Sequence, residues 1–156
     1  MVSKNTALES GGCYNFNDNG GTISLTNCTI FGNDAHKGGA FNWNVDFNNS
    51  SGISVTTLTN CIFCRDSGGE IANANDALVT SKAIVTYSNV QDGSPGKGNI
   101  SSDPLFANVA VGDFHLKSGS PCLGTGTRIG APIADRDSHP RPIPPSMGAY
   151  EMTSAR

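Results

Sequence analysis

The chain has 156 residues, a net charge of −3 and a pI near 5.4, with 37% apolar and 15% charged residues. That length admits one domain with a real core. The ten Lys and Arg residues are scattered, which excludes the basic stripe of a nucleic-acid binder, and no run approaches the ~18 apolar residues of a membrane span. Gly, Asn, Ser and Thr fill the composition, but charge is too sparse for a disordered chain. Ile, Val and Thr instead fall in short alternating runs bounded by Gly, Asn and Asp, the pattern of many strands joined by tight corners.

Residues 1–6 contain no apolar signal-peptide core. Beyond them two motifs alternate. Gly11-Gly12-Cys13-Tyr14-Asn15 returns as Gly38-Gly39-Ala40-Phe41-Asn42 and Gly68-Gly69-Glu70-Ile71-Ala72. Ser24-Leu25-Thr26-Asn27-Cys28 returns as Thr57-Leu58-Thr59-Asn60-Cys61 and, more loosely, as Ile84-Val85-Thr86-Tyr87-Ser88. A shared period of about 30 residues marks each repeat as one coil of a solenoid. Within a coil, Ile23 and Leu25 alternate with Ser24 and Thr26, and Asn27 then shifts the phase by one residue. A corner with Asn in a left-handed conformation explains the slip.

Stacking coils places Leu25, Leu58 and Val85 in one column and Cys28, Cys61 and Ser88 in another. Asn27 lies over Asn60, where their amides can bond from coil to coil, and Tyr14 stacks on Phe41. Segments 44–52 and 73–82 are polar and irregular, hence outward loops. Residues 118–147 hold six of the eight prolines and read as a terminal cap over the last coil. The expected fold is all-β: a right-handed parallel β-helix of about three to four coils, with coils over residues 1–98 and the last coil and an irregular C-terminal cap over 99–156, in the same structural domain.

The order Asn99-Ile100-Ser101-Ser102-Asp103-Pro104-Leu105-Phe106, Gly112-Asp113-Phe114-His115-Leu116, Gly119-Ser120-Pro121-Cys122, Asp135-Arg136-Asp137, Pro140-Arg141-Pro142, Gly148-Ala149-Tyr150-Glu151 closely resembles the C-terminal block of bacterial extracellular β-helix proteins of the pectin lyase-like superfamily. The resemblance implies a secreted or cell-surface parent, of which this chain is the C-terminal part, beginning inside a coil. Residues 1–10 would then cover the open end, or two copies would pair through it as a homo-oligomer.

Superfamily enzymes acting on acidic polysaccharide carry charged clusters on an outer face of the coils. Lyases use a base and a cation, often calcium, and hydrolases use paired carboxylates. The polygalacturonase-type and pectate-lyase-type elements are absent from this sequence. The remaining catalytic candidates are Asp34, His36 and Lys37 in one turn and Arg65, Asp66 and Glu70 in its equivalent one coil on. Solvated turn residues are the plain alternative. Asp135 and Asp137, with His139, could share a calcium ion, although salt bridges to Arg136 or Arg141 explain them more simply. Asp113 and His115 share a strand face, which suits a stabilising hydrogen bond.

Cys61-Ile62-Phe63-Cys64 has the spacing of a metal or redox pair but lacks the second pair a zinc site needs, so core thiols are expected. Thr26, Thr59 and Thr86 form an outward column that would suit an ice-binding solenoid, but Ile84 breaks the column beside it. The sequence therefore reads as a non-catalytic structural or carbohydrate-binding segment with no cofactor, or at most a calcium ion. A polysaccharide lyase or glycoside hydrolase is the alternative, and an ice-binding solenoid a minor one.

Overall fold

The computed structural model describes residues 1–8, 14–17, 22–36, 40–44, 54–73 and 81–152. These are mostly strand and irregular chain with almost no helix; among them the one helical element is a 3₁₀ turn, η1 (Val109–Val111). The strands are β1 (Val2–Ser3), β2 (Tyr14–Asn17), β3 (Thr22–Thr26), β4 (Thr29–Phe31), β5 (Phe41–Asn44), β6 (Ser54–Thr59), β7 (Ile62–Cys64), β8 (Ile71–Asn73), β9 (Ser81–Thr86), β10 (Asn89–Val90), β11 (Phe106–Asn108) and β12 (Asp113–Leu116).

Each strand of the repeats pairs in parallel with its equivalent one repeat later. Three sheets result, ordered β2-β5-β8, β3-β6-β9 and β1-β4-β7-β10. The sequence columns hold: Leu25 pairs with Leu58 and Leu58 with Val85, while Tyr14 pairs with Phe41. Residues 2–7 add a rung on the free edge of β4, with Val2 beside Ile30 and Thr6 bridged to Asp34. At the other end Ile100 bridges to Asn89, continuing the same ladder. The glycine pairs 11–12 and 38–39 and most of both loop segments lie outside the described residues. Gly68 and Gly69 do have positive φ, and a Cβ on Gly68 would collide with the carbonyl oxygen of Ala35 in the preceding repeat.

Two left-handed corners flank the short sheet. Asn27, Asn60 and Tyr87 make the first, with φ of 52°, 55° and 50°. Lys4, Gly32 and Arg65 make the second, with φ of 57°, 64° and 61°. The first corner's amide ladder forms as the sequence suggests: Asn60 Nδ2 donates to Asn27 Oδ1 at 3.1 Å. A second ladder follows the second corner. Asn5 donates to Asn33 Oδ1, and Asn33 donates to Asp66 Oδ1 through both its backbone and side-chain nitrogens, at 2.6 and 2.7 Å.

Both faces of β4 and β7 are buried. One face carries Ile30, Phe63 and Val90, packed with Leu58, Cys61 and Val85. The other carries Phe31, Ile62 and Cys64, packed with Phe106, Phe114, Leu116, Cys122, Met147 and Tyr150. The C-terminal segment therefore does not sit only over the last repeat, as a terminal cap would. It lies along the outer face of the sheet and reaches back to the first repeat. Phe31 meets Phe114 and Phe106 edge-on at 5.0 and 5.8 Å, a geometry that adds about 0.5–1.5 kcal/mol per pair beyond area burial.

The same asparagines fix this strap. Asn27 Nδ2 donates to the carbonyls of Ser146 and Gly148, and the Gly148 amide donates to the Asn60 carbonyl at 2.7 Å. Asn60 also bonds Thr127 twice, donating to its carbonyl and accepting from its amide, each at 2.7 Å. Gly148 has φ 90°, and a Cβ there would lie 2.7 Å from Ile62 Cδ1, so only glycine allows this approach. Behind it, Arg141 pairs with Glu151 at 2.6 Å and donates to the carbonyls of Gly148 and Ala149, which shapes the loop.

Replacing Asn60 with alanine strands three polar partners, Asn27 Oδ1 and the Thr127 carbonyl and amide, and leaves a left-handed corner without the side-chain hydrogen bonds that favour it. We expect Asn60→Ala to lower the unfolding free energy by on the order of 3 kcal/mol in urea denaturation. A loss below about 1 kcal/mol would mean that the corner does not anchor the strap.

Candidate functional site

The strap and the repeats meet at a groove. One part, of about 310 Å³, is lined by Phe31, Cys64, Arg65, Asp103, Leu105, Phe106, Ala107, Asn108, Val109 and Lys117. A second part, of about 330 Å³, shares Cys64, Arg65 and Asp103 and extends along Gln91, Ser101 and Ser102. The second corner places Arg65 here: its guanidinium carbon lies 5.6 Å from the centre of the Phe31 ring, within cation–π range. Gln91 Oε1 secures this corner by accepting from the Arg65 amide at 2.8 Å and from the Cys64 thiol at 3.3 Å. Ser101 Oγ donates to the Gln91 carbonyl at 2.6 Å. Asp103 accepts from the Leu105 amide at 2.9 Å, an Asx turn that presents the carboxylate at the rim.

The groove offers cations, one carboxylate, amides and hydroxyls over an aromatic floor. Among the described residues Asp103 is the one carboxylate in its lining, so they do not supply the paired carboxyls of a hydrolase there. The Cys64 thiol is pushed up to about 12, first by burial, and is no nucleophile at neutral pH.

Of the six turn residues singled out in the sequence, five are described; the structure brings Asp66 and Glu70 together and leaves Asp34, His36 and Arg65 apart from them. Asp34 is exposed and accepts from Ser67 Oγ, His36 is exposed, and Arg65 turns into the groove. Lys37 lies outside the described residues. Asp66 and Glu70 are buried, 8% and 2% exposed, below the surface that a substrate could reach. Asp66 Oδ2 and Glu70 Oε2 have no hydrogen-bond donor among the described residues, and two neighbouring carboxylates cannot both stay charged there. Burial, then the Asp66 carboxyl, pushes Glu70 up to about 9, and burial raises Asp66 as well. Glu70 therefore keeps its proton well above the usual carboxylate range.

Asp135 and Asp137 are likewise separated in role. The buried Asp135 carboxylate accepts from the amides of Asp137, His139 and Glu151 at 2.9, 2.9 and 3.0 Å. Burial alone would raise it, but these bonds and nearby His139 outweigh that and hold it below the usual carboxylate range. Asp137 instead meets His115 Nε2 at 3.1 Å, and Asp113 holds His115 Nδ1 at 2.7 Å. Neither aspartate pairs with Arg136 or Arg141; these bond Tyr150 and Glu151. With both imidazole nitrogens engaged and the ring 4.5 Å from Tyr150, this cluster is a brace of the strap. Among the described residues, no three His, Cys, Asp or Glu side chains are arranged to hold a metal ion, and no helix is long and apolar enough to cross a membrane.

Cys61 and Cys64 face opposite sides of β7, one in each core cluster, so their C-x-x-C spacing makes no joint site. Thr59 and Thr86 hydroxyls lie 3.4 Å apart in the expected column and are half-buried. Gln91, Asp103 and Lys117 escaped sequence reasoning because no short-range pattern links them to Arg65. No family model, no curated protein and no solved structure matches the chain.

The retained proton has a measurable consequence. A carboxyl whose folded value is raised stabilises the fold fully below its unfolded value and loses that stability as pH rises through the folded one. Wild-type stability should therefore fall between pH 4.5 and about 9. Glu70→Gln keeps a donor facing Asp66 and cannot ionise, so its stability in this range should be flatter in urea titrations at a series of pH values. An equal decline in the variant would contradict the proton retained on Glu70.

Proposed function

We propose that the chain is a non-catalytic, carbohydrate-binding segment of a right-handed parallel β-helix, derived from an exported surface protein, with the groove at Arg65 as its binding site. Three parallel sheets in strict repeat order support the β-helix reading, and the resemblance of residues 99–151 to the C-terminal block of pectin lyase-like proteins supports the exported origin. The observation that carries the binding reading is Arg65. A non-glycine residue in the left-handed region costs roughly 1–2 kcal/mol, yet Arg65 holds that conformation at φ 61° where the equivalent position one repeat earlier is Gly32. It thereby sets a guanidinium beside an aromatic ring, with Lys117, Asp103 and Gln91 around the same groove.

Such a surface can bond sugar hydroxyls and carboxylates while an apolar sugar face rests on the floor. Catalysis draws less support, because Asp34, His36 and Arg65 do not converge with the buried Asp66 and Glu70.

Retention on a panel of immobilised neutral and uronate polysaccharides tests this reading. We expect retention by the native chain, weakened at least about tenfold by Arg65→Ala or Lys117→Ala, since each removes a charge-assisted contact. Retention unchanged in both variants would remove the groove from the account. Release of unsaturated or shortened sugars would favour the lyase or hydrolase instead.

A further inference from the structure

We propose that Cys28 and Cys61 form a modification site, a disulfide cross-link between adjacent repeats made by exchange with a low-molecular-weight disulfide. The two residues follow equivalent left-handed corners and lie between the registered pairs Thr26–Thr59 and Thr29–Ile62, so they are neighbours on adjacent parallel rungs. Backbone bonds lock this alignment on both sides: the Asn27 amide donates to the Thr59 carbonyl at 3.0 Å and the Ile62 amide to the Cys28 carbonyl at 2.9 Å. Parallel rungs stand about 4.8 Å apart, inside the Cα separation of about 4.4–6.8 Å that a disulfide spans.

Both thiols are free, and Cys28 packs against the core cluster that holds Cys61. Cys28 is half-buried and open to a small reagent, whereas Cys61 is fully buried. The neighbouring Cys61 side chain is the main cause that lowers the Cys28 thiol to about 6, while burial raises Cys61, whose S–H donates to the Thr59 carbonyl at 3.3 Å. Cys28 is thus the attacking thiolate and Cys61 the resolving thiol. The third position of the column is Ser88, whose Oγ accepts from the Cys61 amide at 3.0 Å, so the bridge has one possible partner in the column. Cys64 and Cys122 are buried elsewhere and pushed up to about 12 and about 11 by that burial.

With glutathione disulfide as oxidant, the Cys28 thiolate attacks one sulfur and breaks the small molecule's S–S bond. The first glutathione leaves as a thiolate and takes a proton from solvent. Cys61 then attacks the Cys28 sulfur, gives its proton to the second departing glutathione, and closes the Cys28–Cys61 bond. Two protein thiols are oxidised and one glutathione disulfide becomes two thiols.

The test is incubation of the reduced full chain with glutathione disulfide, followed by alkylation, proteolysis and mass spectrometry. A peptide joining Cys28 to Cys61, with the intact chain lighter by two hydrogen atoms, is expected. Cys61→Ser places there the residue that the next repeat carries at Ser88, so the fold keeps a side chain that the column already accommodates. In that variant Cys28 should instead retain one glutathione as a stable mixed disulfide. Full alkylation of both Cys28 and Cys61 after oxidation of the native chain, a bridge between other cysteines, or no adduct on Cys28 in a folded Cys61→Ser variant would each overturn the proposal.

Discussion

The side-chain amides of Asn27 and Asn60 are the contacts on which the remaining architecture depends. Each occupies a left-handed corner, which Asn tolerates because its short polar side chain can bond locally. Each is buried, so its polar atoms must be satisfied within the protein. Stacking satisfies part of that demand, since Asn60 donates to Asn27. The rest is met by the strap at Thr127, Ser146 and Gly148. A corner that would otherwise carry unpartnered donors thus recruits the C-terminal segment to one face of one sheet.

That placement creates the groove. Because the strap lies along β4 and β7 rather than over the end of the stack, Phe106 and Lys117 come beside Phe31 and Arg65. The strap's own charges are largely spent on its shape. Arg141 and Glu151 hold one loop, Asp135 satisfies three amides, and His115 is gripped between two aspartates. Side chains that carry chemistry in other settings here brace a segment with little regular structure.

The repeats were legible because two periodicities coincide in them. Apolar alternation marks the strands, and Asn at a fixed offset marks the first corner. The second corner was hidden, since Lys4, Gly32 and Arg65 share a conformation without sharing a residue type. Its ladder, Asn5, Asn33 and Asp66, is equally silent in the sequence, so the pattern marks Asp66 as a turn residue although its carboxylate points inward. The strap's course did leave a trace in the continuous apolar runs Ile30-Phe31 and Ile62-Phe63-Cys64. Strands buried on both faces lose their alternation, and these runs needed a covering layer. Nothing in the local pattern says which distant segment supplies it, because Asp103 and Lys117 reach Arg65 only through the tertiary path of the chain.

Hydrogen exchange at single-residue resolution tests the dependence of strap on corner most directly. The amides of Thr127 and Gly148 bond to Asn60, while those of Ile62 and Asn89 belong to the repeat ladder. If one cooperative unit contains both, all four should exchange through the same opening and show equal protection free energies. Exchange of Thr127 and Gly148 at the rate of an unstructured peptide, with Ile62 and Asn89 still protected, would contradict the account.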